Sequence, residues 1–142
     1  MRGCLGMRDN RRYEREVLRY VETELYAYPW IEKEIEVLRS EILDSSPERA
    51  EVPSKSLGDP TFSKTVKLLS SKRLKKLTEN YEAITRVLNV LPPEQLEFVR
   101  LKYWQREYTD YGIWQRLHIS RRTYYRWREQ ILWAIAVELG LL

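Results

Sequence analysis

Cysteine, histidine and glycine are nearly missing from this chain. A single cysteine, Cys4, in 142 residues cannot form an internal disulfide, which points to a reducing compartment. The one histidine, His118, stands far along the chain from that cysteine. One of each cannot supply the four closely spaced ligands of a zinc site. Five glycines leave no phosphate-cradling loop of either the dinucleotide or the Walker kind. The longest apolar run, residues 131–137, is too short to cross a bilayer, and residues 1–7 lack the apolar core of a secretory signal. Acidic side chains are plentiful, but they recur at helical surface spacing, which suits solvation and i,i+4 pairing. These shortages argue for a soluble cytoplasmic protein with no membrane partner, no catalytic residues, no metal and no cofactor.

What the chain does contain is charge, unevenly spread, and helical periodicity. The formal charge of +4 is modest. Yet Glu32, Glu34, Glu36, Glu41, Asp44, Glu48 and Glu51 make one stretch acidic, whereas Lys64, Lys67, Lys72, Arg73, Lys75 and Lys76 make the next one basic. The C-terminal third is basic again, an asymmetry suited to a nucleic-acid face beside a protein-facing part.

No segment reads as a strand, so the fold class is all-α. Residues 1–9 read as a loose tail. A first helix is predicted over 10–27, burying Val17, Val21, Leu25 and Tyr28 or Tyr20. Tyr28-Pro29 ends or sharply bends it, because proline removes an N–H and restricts the residue before it. Pro29 then opens a second helix with a narrow seam of Ile31, Ile35, Leu38 and Ile42. Residues 44–60, rich in proline, serine and charge, read as a mobile loop. A long helix follows over 61–90, with Leu74, Leu77, Tyr81, Ile84, Leu88 and Leu91 spaced alternately by three and four. That seam either packs on the first two helices or forms a coiled-coil dimer, for which it is short. A further helix over 93–107 buries Leu96, Val99 and Tyr103. The predicted division is therefore 1–60 (helical pair and loop), 61–91 (long helix) and 92–142 (C-terminal domain).

Residues 109–139 read as a helix-turn-helix. Thr109-Asp110 is a helix-start signal, and Ile113, Trp114 and Leu117 share one face. His118-Ile119-Ser120 forms the turn, and Ser120 is placed to cap the next helix. There Tyr124, Trp127, Ile131, Ile135 and Leu139 mark a buried stripe, with Trp127 as its expected anchor. The opposite face centres on Arg122 and Glu129, with Tyr125 and Arg126 beside them and Arg121 on a shoulder; Arg128 lies on the flank, within reach of a phosphate. Arginine offers a bidentate fork to guanine, and glutamate can accept from cytosine N4. Ordinary solvated helix faces mix lysine and glutamate, and cations at a helix N-terminus oppose its dipole, so this pattern favours double-stranded DNA over mere solubility. Beyond Ile131, Leu132, Trp133 and Val137 make the last helix apolar nearly all round, which calls for a partner, either the long helix of this chain or another copy in a weak homodimer.

The segment from His118 to Trp127, the closing Glu138-Leu139-Gly140 and the early run from Glu22 to Pro29 resemble the RinA and ArpU-like phage transcriptional regulators. The C-terminal unit is also similar to the fourth region of bacterial sigma factors. The resemblance implies a phage or prophage activator of late, packaging or integrase genes, working with host RNA polymerase. In it Ser120 caps the recognition helix, and Arg121, Arg122, Tyr125 and Arg126 contact DNA. Trp114 departs from the pattern, which keeps a small residue there; either the two helices splay, or the indole lies along the pair and joins the core. Two other readings compete with the activator. One is the DNA-recognition subunit of a phage packaging machine; the other is a module that binds polymerase without reading DNA.

Overall fold

The computed structural model describes residues 2–44 and 60–142, with side chains for 9–43 and 61–142. The expected mobile loop, and with it Glu48 and Glu51, lies outside the described residues, as does the Cys4 side chain. Every regular element among the described residues is helical. In chain order these are α1 (Arg2–Asp44), α2 (Pro60–Val90), α3 (Pro93–Val99), a π-helical segment (Arg100–Gln105) that continues α3, α4 (Asp110–Leu117) and α5 (Arg121–Glu138).

The chain forms two compact units, one of Met1–Pro29 with Glu82–Leu142 and one of Trp30–Tyr81. The divisions thus fall at Pro29 and before Glu82, within α1 and α2, because each of those helices contributes to both units. Two expectations for the N-terminal region need correction. The tail is helical from Arg2, and α1 continues past Pro29 instead of ending there.

A proline inside a helix leaves the carbonyl four residues earlier without its N–H donor. That carbonyl is Leu25 O, and here it accepts a hydrogen bond from the Trp104 indole Nε1 at 3.2 Å. The same indole stacks on Tyr28, with centroids 5.5 Å apart and planes 17° from parallel. The orphaned acceptor is therefore satisfied from another element, and the aromatic neighbour of the proline holds the donor in place. Tyr28 is anchored in turn by a 2.9 Å hydrogen bond between its hydroxyl and that of Thr85 on α2.

The core of the larger unit gathers Val17, Val21 and Leu25 from α1 with Ile84, Val87 and Leu88 from α2. Phe98, Val99, Leu101 and Tyr103 join from α3 and its π-helical continuation, Ile113 from α4, and Tyr124, Ile131, Leu132, Ile135 and Ala136 from α5. The wide π turn closes with a hydrogen bond from the Arg106 N–H to Leu101 O at 3.3 Å, and Arg106 leaves it in the left-handed region at φ 56°. This spacing buries Leu101 and Tyr103 while still presenting Trp104 to Leu25. Leu132, off the expected stripe, is fully buried within the chain, whereas Trp133 and Val137 are exposed.

Aromatic rings organise this core. Phe98 meets Tyr124 edge-on at 5.2 Å, Trp127 at 6.2 Å and Tyr103 at 6.4 Å. Phe98 and Tyr124 are fully buried, but Trp127, the expected anchor, is only partly so. Its ring covers the outer side of Phe98 and does not form the centre of the cluster.

In the smaller unit Ile31, Ile35 and Leu38 of α1 are buried, and Leu74, Leu77 and Tyr81 of α2 are partly buried. The two helices are joined there by an ion pair between Arg73 and Glu34. The α2 seam is thus consumed inside the chain, with Ile84 and Leu88 in the core of the larger unit.

Two stability outcomes follow from these contacts. Trp104→Phe keeps the stack but strands Leu25 O, and is expected to cost about 1–3 kcal/mol in urea unfolding. Pro29→Ala returns the missing N–H, so in that background the same Trp104→Phe change should cost clearly less. Equal costs in both backgrounds would show that the indole is not the surrogate donor. Among the rings, Tyr124→Ala should lower the thermal midpoint more than Trp127→Ala, the reverse of the order expected from periodicity.

Candidate nucleic-acid interface

Two short-range caps set the geometry of the C-terminal helix pair. The Thr109 hydroxyl accepts from the Gly112 N–H at 3.1 Å and starts α4; the Ser120 hydroxyl accepts from the Thr123 N–H at 3.1 Å and starts α5. Between the helices, His118 takes the left-handed conformation at φ 54°, and the Ile119 N–H bonds back to Trp114 O at 3.0 Å. This is the usual way to close a helix C-terminus, except that glycine or asparagine normally takes the left-handed position. His118, placed in the turn by the sequence as a possible helix C-cap, is the C-cap residue of α4. The result is a three-residue turn with Ile119 tucked partly inward.

Trp114 lies along the helix pair, the second of the two arrangements expected. Its ring packs edge-on against Tyr111 at 5.9 Å, Tyr124 at 5.8 Å and Tyr125 at 6.4 Å. On top of it, the Arg121 guanidinium stands 5.9 Å from the Trp114 ring and 5.7 Å from the Tyr125 ring. A cation between two ring faces is held by their quadrupoles and loses less side-chain freedom when it meets a ligand. This pre-orientation was missed in the sequence. Its signal was an indole one helix before an arginine and tyrosine four residues apart.

The remaining site residues divide into two groups. Ser120, Arg121, Arg122, Tyr125, Arg126 and Glu129 are all exposed on α5 or its cap. Arg122 and Arg126 have no hydrogen bond or ion pair to any described residue, so their guanidinium groups are available on one face. Arg128 is placed differently. Its Nε and Nη2 donate to the two carboxylate oxygens of Glu22 on α1, at 2.8 and 3.0 Å. Burial works against the charge of Arg128, but the hydrogen bonds and charge of Glu22 outweigh it and hold the guanidinium above its ordinary pKa. Arg128 is thus engaged in an internal bidentate pair. The Tyr103 hydroxyl donates to the same Glu22 carboxylate at 2.8 Å, and burial, then the Glu22 charge, pushes its pKa far up.

A second carboxylate fixes α4 against α5. Asp110, in the first turn of α4, accepts from the Tyr124 hydroxyl and lies 3.4 Å from Lys102 Nζ. The Tyr124 hydrogen bond and then the Lys102 charge hold Asp110 below the usual carboxylate range, despite some burial. Burial together with Asp110 raises Tyr124 well above its normal value. The ammonium of Lys102 also lies 5.3 Å from the Tyr124 ring and 5.5 Å from that of Tyr103.

A depressed carboxylate stabilises the fold fully above its unfolded pKa, and that contribution is lost as pH falls through the folded value. Thermal midpoints measured from neutral pH down to about pH 2 should therefore show an acid-side loss that Asp110→Asn reduces. Parallel curves for the two proteins would remove Asp110 as a source of acid sensitivity.

Among the described residues no group of three or more histidine, cysteine, aspartate or glutamate side chains is placed to hold a metal ion, and no helix is long and apolar enough to cross a membrane. A family profile described as "Protein of unknown function (DUF722)" matches residues 21–136. The chain is 32% identical over 129 residues to a protein named "Transcriptional activator rinA" from Staphylococcus phage phi11, across 87% of this chain and 90% of that protein. No solved structure matches the chain.

Proposed function

The chain belongs to the RinA-like family of phage proteins, and from that premise we propose that it regulates transcription by binding double-stranded DNA through α4, the turn and α5. The observation that carries this reading is the exposed row Arg122, Tyr125, Arg126 and Glu129 on the N-terminal half of α5, with Arg121 pre-oriented beside it. Helix α5 acts as the recognition helix of a helix-turn-helix, of the sort found in the fourth region of sigma factors. Its arginines read guanine edges in the major groove, Glu129 accepts from cytosine, and Tyr125 contacts a phosphate or a thymine methyl. Ser120 and the free N–H groups of the first turn face the backbone.

The name of the phage relative supports activation as the sign of regulation, and an activator bound at a promoter works with host RNA polymerase as its partner. The protein works in the cytoplasm without catalysis or cofactor. Arg128 belongs to the scaffold in this reading, since a guanidinium engaged by both oxygens of Glu22 is not free for phosphate.

Footprinting and gel retardation with fragments of the surrounding phage genome test the proposal. Arg122→Ala or Arg126→Ala should weaken specific binding by about 1–3 kcal/mol, roughly 5- to 150-fold, and leave unfolding curves unchanged. Arg128→Ala should instead lower stability, with little change in the slope of affinity against salt. Wild-type affinity in both Arg122→Ala and Arg126→Ala would refute the recognition-helix assignment.

A further inference from the structure

Within the larger unit the first part of α1 lies antiparallel against α5 and is pinned there at two points. Glu22 holds Arg128 at 2.8 and 3.0 Å, and earlier on α1 the Tyr13 hydroxyl donates to Leu141 O at 3.0 Å. Contacts that advance along α5 as they recede along α1 fix the direction. Between the pins Leu18 packs against the core. One and two turns before Leu18, on the same side of α1, Arg15, Glu14 and Arg11 line a groove whose other wall is Glu129 and Trp133 of α5.

That wall belongs to the row proposed to read DNA. Arg122, Arg126, Glu129 and Trp133 follow the spacing i, i+4, i+7, i+11 and share one face of α5. At about 1.5 Å per residue the row runs about 16 Å, whereas the major groove is roughly 12 Å wide. With the first two turns of α5 among the base edges, its third turn reaches the rim of the groove, where the phosphates are. What flanks α5 at that level is α1, with Arg11 and Arg15 turned to the same side.

Both arginines are exposed, and neither forms a hydrogen bond or ion pair with any described residue, although Glu14 and Glu129 line the same groove. Glu14 accepts instead from Asn10 Nδ2 at 3.3 Å. Arg19, outside the groove, is paired with Glu16 at 3.9 Å. Over residues 1–20 the chain has six arginines against three acidic residues and no lysine. A solvated face would use lysine as readily, whereas the guanidinium fork matches two phosphate oxygens at once. We propose that Arg11 and Arg15 grip the DNA backbone at the edge of the groove that α5 reads, so that both ends of the chain build one interface. The inference rests on the DNA-binding reading above and extends it to α1. Phosphates are alike at every step, so this grip adds affinity and orientation without sequence preference. The Glu22–Arg128 pair then has a second effect, because it sets the distance between the reading helix and the gripping one.

Gel retardation by the full chain over a series of salt concentrations tests it, with the footprinted phage fragment and a random-sequence duplex of the same length as probes. Arg11→Gln combined with Arg15→Gln keeps most of each side-chain stem and should leave unfolding curves unchanged. It should weaken binding to both duplexes about tenfold and reduce the slope of log affinity against log salt by about 1–2, since each phosphate contact contributes about 0.9. Arg11→Lys with Arg15→Lys retains the charge and should recover most of both. Arg19→Gln should change neither. Wild-type affinity and slope in the double-glutamine variant, a loss confined to the phage fragment, no recovery with lysine, or an equal change in slope from Arg19→Gln would each overturn the proposal. A response to Arg122→Ala with none to the double-glutamine change would remove this inference and leave the functional reading standing. A wild type that binds neither duplex would remove both.

Discussion

The carboxylate of Glu22 is the point on which the larger unit turns. It accepts two hydrogen bonds from Arg128 on α5 and one from Tyr103 in the π-helical segment, so one side chain of α1 joins three elements. Its side chain is 20% exposed and that of Arg128 34%, which makes the pair shielded but not dry. Such a pair adds little net stability over a well-packed apolar one, because desolvation offsets most of the attraction. What it does supply is register. A bidentate contact has narrow angular tolerance, and with Arg128 fixed the rotation of α5 about its own axis is fixed too. Arg122 and Arg126 lie six and two residues earlier on the same helix and are thereby held outward.

One helical turn beyond Glu22, the backbone of α1 makes a second connection to the same region. Pro29 exposes Leu25 O, Trp104 answers it, and Tyr28 stacks on Trp104. Tyr103 and Trp104 are adjacent in sequence and both reach α1, which requires the altered phase that the π turn provides. Proline in mid-helix and a π-helical turn are each unfavourable alone. Here the acceptor freed by one meets the donor re-aimed by the other, so the two irregularities compensate through a single hydrogen bond. The early run from Glu22 to Pro29 is among the segments that carry the family resemblance, and this arrangement gives it a physical basis. Glu22, the Leu25 carbonyl that Pro29 exposes, and Tyr28 each hold a named contact with the C-terminal part of the chain.

How much of this was legible in the sequence depended on the range of the interaction. Local signals were read well: Thr109 and Ser120 cap the helices they were expected to cap, and the apolar spacing over 61–90 lies within α2, which begins at Pro60. The outward row on α5 was also readable, because helix geometry alone sets which residues share a face. Misreadings arose where a distant partner decides the outcome. Pro29 is a helix breaker by local rules and survives only because Trp104, 75 positions later, supplies a donor. Helix position sets Arg128 on the flank of α5 and Arg126 on its open face, but only Glu22, from the far end of the chain, shows that Arg128 is engaged internally. Trp127 outranks Tyr124 by size, yet Tyr124 takes the centre because its hydroxyl finds Asp110 and its ring finds Phe98.

The same logic explains the placement of positive charge around α5. Each cation that the structure binds internally does so through a carboxylate or an aromatic face: Arg128 with Glu22, Lys102 with Asp110, and Arg121 between Trp114 and Tyr125. Neither Arg122 nor Arg126 is engaged in this way, and Arg122 lies in the first turn of α5, at the positive end of its helix dipole. In water that placement is mildly unfavourable, and burial of a carboxylate nearby would have relieved it. The chain has acidic residues to spare, but Glu22 and Asp110 are directed to the scaffold, while Glu32, Glu34, Glu36 and Glu41 lie in the other unit. An anionic ligand at the start of α5 would remove the local repulsion and meet the unbonded N–H groups of the first turn together.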